Sequence, residues 1–291
     1  MLQEALDLAA LNGLLRLNPD GHLIHVPFAL SPFPMTFGEV QRMERLTAPF
    51  GEMMLRISWD RDFILDQLQP LAATDSSLSL LLSFRRPEIS QTTQLMIQRN
   101  DFFVTADETP GKALRQVELN TIASSFPFLI ESLMHLQRMY FREDGNLLSR
   151  LLDNAPLEGA VNGIAEAIRL YGKLETSMIT VIQPGEANRL DQLGIEQKLW
   201  EMYGIGTLRK TLGEIDLDGS IREGHLQVDG KTVALVYYRT GYTPGDFKDE
   251  ESIAGRYLIE SSSAIQVPDL WMQLAGMKKI QQAITQTEIL E

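Results

Sequence analysis

The sequence contains no cysteine among its 291 residues, and this absence excludes several kinds of chemistry. Disulfide bonds, thiolate metal sites and thiol nucleophiles all require a sulfhydryl group. A chain that can form no disulfide fits a reducing compartment, where disulfides are rare. We therefore expect a cytoplasmic protein.

Basic residues are scarce relative to acidic ones. Lys and Arg total 26 against 39 for Asp and Glu, which gives a formal net charge of −13. Nucleic acids and anionic membranes are recognised by basic surfaces, so we expect neither as a partner. No apolar stretch reaches the roughly 18 residues of a membrane span, and the first residues lack the pattern of a signal peptide.

Several common catalytic motifs are missing as well. The sequence has no Walker-type Gly-x-x-x-x-Gly-Lys, no complete Gly-x-Gly-x-x-Gly, no Gly-x-Ser-x-Gly elbow and no His-Glu-x-x-His. The four histidines are scattered, and the spacing of His22 and His25 favours an ordinary loop over a metal pair. A nucleotide or metal site would have to be built from other residues.

The residues that are present predict a mixed α/β protein of about two domains. The hydrophobic fraction of 44% and the charged fraction of 22% are ordinary for a folded protein. Apolar periodicity predicts helices at 2–16, 36–55, 59–72, 127–141, 160–171, 189–203 and 270–284. Short apolar runs predict strands at 102–104, 117–119, 178–182, 225–228 and 232–238, the last two joined by an Asp-Gly turn. The alternation of strands and helices after residue 175 predicts a small parallel sheet.

The most informative segment is 115–126. Glu118 and Asn120 are two residues apart, so on a strand they face the same side. A carboxylate and an amide oxygen on one face suit a hard cation such as Mg²⁺. The polar turn 121–125 follows directly, and its hydroxyl and N–H groups could hold an anion. A solvated strand end is the alternative interpretation.

Further ligand-type residues follow other predicted strands. Glu186, Asn188 and Gln192 come after the strand at 178–182, where open α/β sheets collect ligands, although helix capping is an alternative role for the first two. Arg239 and Tyr242 follow the strand at 232–238, and an Arg near a glycine could bind a carboxylate or form a surface salt bridge.

Two basic residues complete the set of candidates. Arg99 precedes the first predicted strand and has the same alternatives as Arg239. Lys278 lies on the last predicted helix, where it could contact a phosphate or simply face solvent.

Taken together, these segments resemble the eukaryotic-type glutathione synthetases. The order and spacing of five segments agree with that family, and the loop at 25–28 is also similar. The five segments are 99–102, 115–126, 186–192, 238–242 and 273–282. The resemblance extends over nearly the whole chain.

The resemblance implies an ATP-grasp ligase. Such an enzyme joins glycine to γ-glutamylcysteine through an acyl phosphate, converts ATP to ADP and phosphate, uses Mg²⁺, and is usually a homodimer. The implied fold is an α/β ATP-grasp-type body at 1–174 with a smaller parallel-sheet substrate-binding subdomain at 175–275. A helix at 276–291 would return to the body.

The same resemblance assigns roles to residues. Arg99 and Glu118 would be catalytic, Glu118 and Asn120 would bind the metal, and Glu118 and Lys278 would contact ATP. The residues that would hold γ-glutamylcysteine are Arg99, Ile122, Ala123, Ser124, Ser125, Glu186, Asn188, Gln192, Arg239, Thr240, Gly241 and Tyr242.

The sequence departs from the family pattern in three ways. Ala123 stands where the family usually has serine, and one lost hydrogen bond costs about 1 kcal/mol. Thr240 replaces an acidic residue. The family also continues well beyond the helix that carries Lys278, so we expect the ATP-grasp body to be incomplete within these 291 residues.

These departures leave two other functions open. One is a non-catalytic relative that binds γ-glutamyl peptides. The other is a ligase that accepts an amine other than glycine.

Overall fold

The structure is a computed structural model, and it describes residues 2–86, 91–105, 114–172 and 176–286. It is a mixed α/β protein, as predicted, whose residues group into two compact units. The helices are α1 (Leu2–Leu11), α2 (Phe37–Trp59), α3 (Arg61–Ala72), α4 (Ser76–Ser83), α5 (Pro127–Tyr140), α6 (Gly145–Leu148), α7 (Pro156–Tyr171), α8 (Arg189–Tyr203), α9 (Leu212–Asp218), α10 (Glu250–Glu260), α11 (Leu270–Ala275) and α12 (Lys278–Ala283).

The strands are short and fall into three sheets within the described residues. They are β1 (Leu15–Leu17), β2 (Leu23–His25), β3 (Arg99–Val104), β4 (Leu114–Asn120), β5 (Thr176–Val181), β6 (Thr207–Lys210), β7 (Gly219–Arg222), β8 (His225–Val228), β9 (Lys231–Tyr238) and β10 (Ile265–Val267). None of the helices in the described ranges is long and apolar enough to cross a membrane.

The first unit comprises Met1–Pro34, Ser125–Glu166 and Gln183–Thr207. Its core is formed where α1 and α5 meet, around Ala9, Leu14, Leu129 and Leu136. The prediction of one helix over 2–16 was wrong at its end. Gly13 adopts a φ of +73°, which ends the helix, and the next residues pair with Leu23–His25 as a β-hairpin.

The second unit comprises Met35–Ser124, Ala167–Ile182 and Leu208–Glu291, and it contains the largest sheet. The strand order is β6-β5-β9-β8-β7, with β10 also paired to β9. Strand β9 is parallel to β5 and β10 but antiparallel to β8, so the predicted parallel sheet is in fact mixed. The predicted Asp229-Gly230 turn joins β8 to β9, and both residues have positive φ.

The predicted strands around 102–104 and 117–119 form a separate antiparallel pair, β3 and β4. Residues 106–113, which join the two strands along the chain, lie outside the described residues. A second core in this unit packs α2, α3, α4 and α11 through buried apolar side chains. Its fully buried members include Met54, Ile64, Leu68, Phe84 and Leu274.

The last predicted helix, 270–284, is broken into α11 and α12. Gly276 is the C-cap of α11, and Met277 is the N-cap of α12. The break brings the backbone of Gly276 against Thr121, because a Cβ atom placed there would lie 2.0 Å from Thr121 Oγ1. Only glycine fits this close approach without movement of the Thr121 side chain.

We predict that Gly276→Ala lowers the free energy of unfolding by about 1–3 kcal/mol, because the added methyl group overlaps the buried Thr121. Gly159→Ala is the matched control, since it lies in a helix with open space around its Cβ position. The control should be neutral or stabilise by roughly 0.5–1 kcal/mol. Denaturant unfolding measures both effects, and equal stabilities for the two variants would contradict the close packing.

Candidate functional site

The pairing of β3 with β4 gathers four of the polar side chains that concern function. Arg99 lies opposite Asn120, and Asp101 lies opposite Glu118. The ladder shifts register after Asp101, so the regular pairing that holds these four residues stops at that point. Arg99, Glu118 and Asn120 were predicted from the sequence and are brought together here. Asp101 was missed, although its position two residues after Arg99 places both on one face of a strand.

Arg99 is held by Asp101 in a two-pronged ion pair. Its Nε and Nη2 donate to the two carboxylate oxygens at 2.9 and 3.0 Å. The guanidinium of Arg99 is the main cause that lowers the pKa of the Asp101 carboxyl, and Asn120 adds to the effect. Both side chains keep more than a third of their surface exposed, so this pair orients Arg99 more than it stabilises the fold.

Glu118 makes its ion pair with Lys278, whose Nζ lies 3.0 Å from Glu118 Oε2. The ammonium of Lys278 is the main cause that lowers the pKa of the Glu118 carboxyl, against smaller opposing effects of burial and Asp101. The Lys278 side chain is 86% exposed, so most of it remains accessible to a ligand.

Gln281 fixes the helix of Lys278 against the strand of Glu118. Its Oε1 accepts the N–H of Leu119 at 3.0 Å, and its Nε2 donates to the carbonyl of Leu119 at 2.9 Å. The amide therefore pairs with β4 as another strand would. Sequence reasoning missed this role, because a glutamine on a helix carries no local signal of it.

The residues of this cluster fit a divalent metal in part. Asn120 Nδ2 lies 3.4 Å from Asp101 Oδ2, and the amide oxygen of Asn120 adds to the oxygen ligands that Glu118 offers. Hard cations such as Mg²⁺ prefer such oxygens. Among the described residues, no group of three or more Asp, Glu or His is arranged for a metal. Further ligands would have to come from water or from the phosphates of a nucleotide.

Hydrogen bonds within the second unit hold the turn after β4. Thr121 Oγ1 donates to the carbonyl of Met272 at 3.1 Å, and Ser124 Oγ donates to the carbonyl of Asn120 at 3.1 Å. In this structure both hydroxyl protons are donated to carbonyl groups of the fold. Ala123 has a φ of +49°, an unusual value for a residue with a side chain. Ile122 packs against the core of the large sheet.

Arg239 connects this turn to the end of β9. The side chain is buried, and its Nη1 donates to the carbonyl of Ser124 at 2.7 Å and to the hydroxyl of Tyr237 at 3.1 Å. The sequence alternatives for Arg239 were a carboxylate ligand and a surface salt bridge. Burial excludes a surface position.

The remaining residues of the 239–242 turn differ in exposure. Thr240 is buried, Gly241 has a φ of +90°, and 43% of Tyr242 is exposed. The carbonyl of Gly241 accepts a hydrogen bond from Gln273 Nε2 at 3.1 Å. The turn therefore presents Tyr242 outward on a fixed backbone.

Four predicted residues, Ser125, Glu186, Asn188 and Gln192, lie in the first unit. The Glu186 carboxylate accepts the N–H of Asn188 at 2.9 Å, while Asn188 occupies the N-cap position of α8 without a side-chain cap. Gln192 is buried on the same helix. Glu186 therefore holds the backbone just before α8, and no side-chain hydrogen bond caps the N-terminus of this helix.

Asp191 precedes Gln192 in α8, and sequence reasoning missed it. It is fully buried, and its carboxylate accepts the N–H groups of Phe126, Phe128 and Leu129 at 2.8, 3.1 and 3.2 Å. It therefore caps α5 from α8 and fixes the backbone just after Ser125. An acidic residue in the first turn of a helix gave no sign of such a distant partner.

A family model described as the ATP-binding domain of eukaryotic glutathione synthase matches residues 1–291. The chain belongs to the eukaryotic glutathione synthase family. The predicted resemblance is thereby confirmed.

Curated members of the glutathione synthase family support the match. The chain is 33% identical to the chloroplastic glutathione synthetase of Solanum lycopersicum over 94% of its own length and 51% of the relative's. It is 31% identical to the glutathione synthetase of Xenopus laevis, over 99% and 63% of the two lengths. The chain thus spans about half to two thirds of these relatives.

A solved structure shares the fold. It is a glutathione synthetase-like effector from Globodera pallida in its apo form, with a TM-score of 0.82 and 21% identity. The match covers 99% of this chain and 65% of the effector. At this identity the similarity concerns the fold alone.

We predict that Asp191→Ala lowers the free energy of unfolding by roughly 3 kcal/mol, because three backbone N–H groups lose their acceptor. Asp153→Ala is the control in the same unit. The Asp153 carboxylate is fully exposed and pairs with Arg138 at 2.6 Å, so its loss should cost under about 1 kcal/mol. Thermal or denaturant unfolding compares the two variants. Similar losses of unfolding free energy would contradict the role of Asp191 as a cap of α5.

Proposed function

We propose that this chain is the dipeptide-binding and phosphoryl-transfer portion of a glutathione synthase. The reaction would join glycine to γ-glutamylcysteine and convert ATP to ADP and phosphate. The observation that carries the proposal is the cluster of Arg99, Glu118, Asn120 and Lys278 within one unit of a family member. A carboxylate is a poor electrophile, so it would first be phosphorylated, and the amine of glycine would then displace the phosphate.

The charges of the cluster suit the phosphoryl step. Lys278 would contact a phosphate of ATP, and Arg99 would bind the dipeptide carboxylate or the transferred phosphoryl group. Glu118 and Asn120 would hold Mg²⁺, which when bound neutralises phosphate charge. Because Asp101 already orients Arg99, the guanidinium would need little rearrangement when the substrate arrives.

The other predicted residues would bind the rest of the dipeptide. Arg239 suits a second carboxylate, and Glu186 suits the ammonium group. Backbone and side-chain groups of Ile122, Ala123, Ser124, Ser125, Asn188, Gln192, Thr240, Gly241 and Tyr242 would complete the contacts. Ala123 offers no hydroxyl, so we expect one hydrogen bond fewer than in the family pattern, at a cost of about 1 kcal/mol.

The family resemblance also motivates the larger architecture that we propose. Residues 1–174 would belong to an ATP-grasp body, 175–275 to the substrate-binding subdomain, and 276–291 to the body again. We further propose a cytoplasmic homodimer. Sedimentation velocity of the purified protein would reject the homodimer if it reported only a monomer at micromolar concentration.

The first experiment is ADP release with ATP, Mg²⁺, γ-glutamylcysteine and glycine, with each component omitted in turn. ADP release that requires all four components would support the ligase. Binding of γ-glutamylcysteine without ADP release would support the non-catalytic relative instead. Release that requires another amine in place of glycine would indicate altered amine specificity.

We predict that Lys278→Ala weakens ATP–Mg²⁺ binding about tenfold, because one charge-assisted phosphate contact is lost. The free energy of unfolding of Lys278→Ala should differ from that of the parent chain by less than about 1 kcal/mol, since the Lys278 side chain is 86% exposed. Lys279→Ala is the matched control, because Lys279 Nζ contacts only the Gln282 side chain, at 3.3 Å, among the bonds described. Calorimetric titration measures the ATP–Mg²⁺ affinity of both variants. Equal affinities of Lys278→Ala and Lys279→Ala would contradict a role of Lys278 in the nucleotide site.

A further inference from the structure

Gln273 of α11 links the 239–242 turn to the buried core of the second unit. Its Nε2 donates to the carbonyl of Gly241 at 3.1 Å, and its Oε1 accepts a hydrogen bond from Arg256 Nη2 at 3.3 Å. Both side chains are buried, since Gln273 is 4% exposed and Arg256 is 0% exposed. The amide group of Gln273 therefore lies between a cation of the core and the backbone of the turn.

Arg256 is held in one place by its own neighbours. Its Nε donates to Glu260 Oε1 at 2.8 Å, and its Nη2 lies 2.7 Å from the same oxygen. The guanidinium carbon lies 4.3 Å from the centre of the Tyr238 ring, a distance at which a cation and an aromatic ring attract each other. Glu260 in turn accepts a hydrogen bond from Gln266 Nε2 at 3.3 Å. This buried network makes Arg256 a fixed donor for Gln273.

The two partners of Gln273 allow only one orientation of its amide group. A guanidinium can only donate hydrogen bonds, and a backbone carbonyl can only accept them. The amide oxygen must therefore face Arg256, and the amide nitrogen must face Gly241. Position 273 thus requires a side chain that accepts on one side and donates on the other. A glutamate, ionised beside the guanidinium, would have no donor for the carbonyl.

The peptide unit between Gly241 and Tyr242 is held at both of its polar groups. Gln273 donates to its carbonyl oxygen, and its N–H donates to Asp246 Oδ2 at 3.0 Å. The same carboxylate oxygen accepts the N–H groups of Gly241 and Thr243 at 3.0 and 2.8 Å. Because a carboxylate cannot donate to a carbonyl, Asp246 cannot take over the contact that Gln273 makes.

The helix that carries Gln273 also contacts the turn after β4. The carbonyl of Met272, the preceding residue, accepts a hydrogen bond from Thr121 Oγ1 at 3.1 Å. Thr121 directly follows Asn120, which is a proposed metal ligand. Two consecutive residues of α11 therefore hold the two turns from which most of the proposed ligand residues of this unit come.

We propose that Gln273 is a positioning residue for γ-glutamylcysteine, which fixes the peptide unit between Gly241 and Tyr242 through a donor that Arg256 orients. Gln273 acts through the turn that presents Arg239 and Tyr242, and not by contact with the dipeptide. The inference rests on the proposed function, because the dipeptide is the ligand whose binding the turn would support.

The test compares three variants of the 291-residue chain with the parent chain. Gln273→Leu removes both hydrogen bonds of the amide, whereas Gln273→Glu keeps an acceptor for Arg256 and loses the donor to Gly241. Gln266→Leu is the matched control, because Gln266 is also buried and its two described hydrogen bonds join other side chains of the same network. Calorimetric titration with γ-glutamylcysteine gives the affinity, and thermal unfolding gives the melting temperature.

We expect both Gln273 variants to weaken binding of γ-glutamylcysteine about tenfold, and Gln266→Leu to change it less than about twofold. The two leucine variants should lower the melting temperature by similar amounts, because each removes two hydrogen bonds of a buried amide. A difference in affinity between them therefore cannot result from stability alone. Binding by Gln273→Glu as tight as that of the parent would show that the amide serves only Arg256, and it would overturn the proposal. Equal losses of affinity in the two leucine variants would overturn it as well.

A second measurement separates this inference from the proposed function. Hydrogen exchange of the Tyr242 backbone amide reports the order of the turn without any substrate, and it should be faster in both Gln273 variants than in the parent and in Gln266→Leu. If the parent chain does not bind γ-glutamylcysteine, the proposed function is refuted, and with it the role of Gln273 in binding that dipeptide. If the parent binds the dipeptide but Gln273→Glu matches it in affinity and exchange, only the role of Gln273 is refuted.

Discussion

The register of β3 against β4 is the constraint on which the rest of the candidate site depends. Arg99 opposite Asn120 and Asp101 opposite Glu118 bring two carboxylates, one amide and one guanidinium together on the strand pair. A shift by one residue would turn alternate side chains to the other face of the ladder and disperse the cluster. The pairing of the two backbones therefore brings these polar side chains together, which no single residue could do.

A second device recurs in both units, namely a side chain that replaces a missing backbone partner. Gln281 satisfies both the N–H and the carbonyl of Leu119, and Asp246 collects three amides of the turn after β9. In the other unit, Asp191 does the same for the start of α5. Such contacts satisfy backbone groups that regular structure leaves unpaired, and they hold loops that carry candidate ligand residues in one geometry.

Local signals predicted most of the regular structure. The helices α2, α3, α5, α7 and α8, the β8–β9 hairpin and the β3–β4 pair follow from periodicity and turn chemistry. The errors have local causes as well: Gly13 ends α1 early, and Gly276 divides the last helix where it approaches Thr121. The residues of the candidate site were predicted one by one through family resemblance. Four further side chains were missed, because each acts on a partner that the sequence pattern does not indicate. They are Asp101, Asp191, Asp246 and Gln281.

The sequence by itself determined the α/β class, the acidic surface, the absence of thiol chemistry and the membership in a ligase family, because these depend on composition, periodicity and short motifs. Tertiary structure decided which polar groups have hydrogen-bond partners inside the fold. The hydroxyls of Thr121 and Ser124 are ligand types in the sequence, yet their protons are used inside the fold. Arg239 likewise donates to Ser124. The hydrogen bonds of Thr121 and Arg239 join residues more than a hundred positions apart, and no local pattern records them.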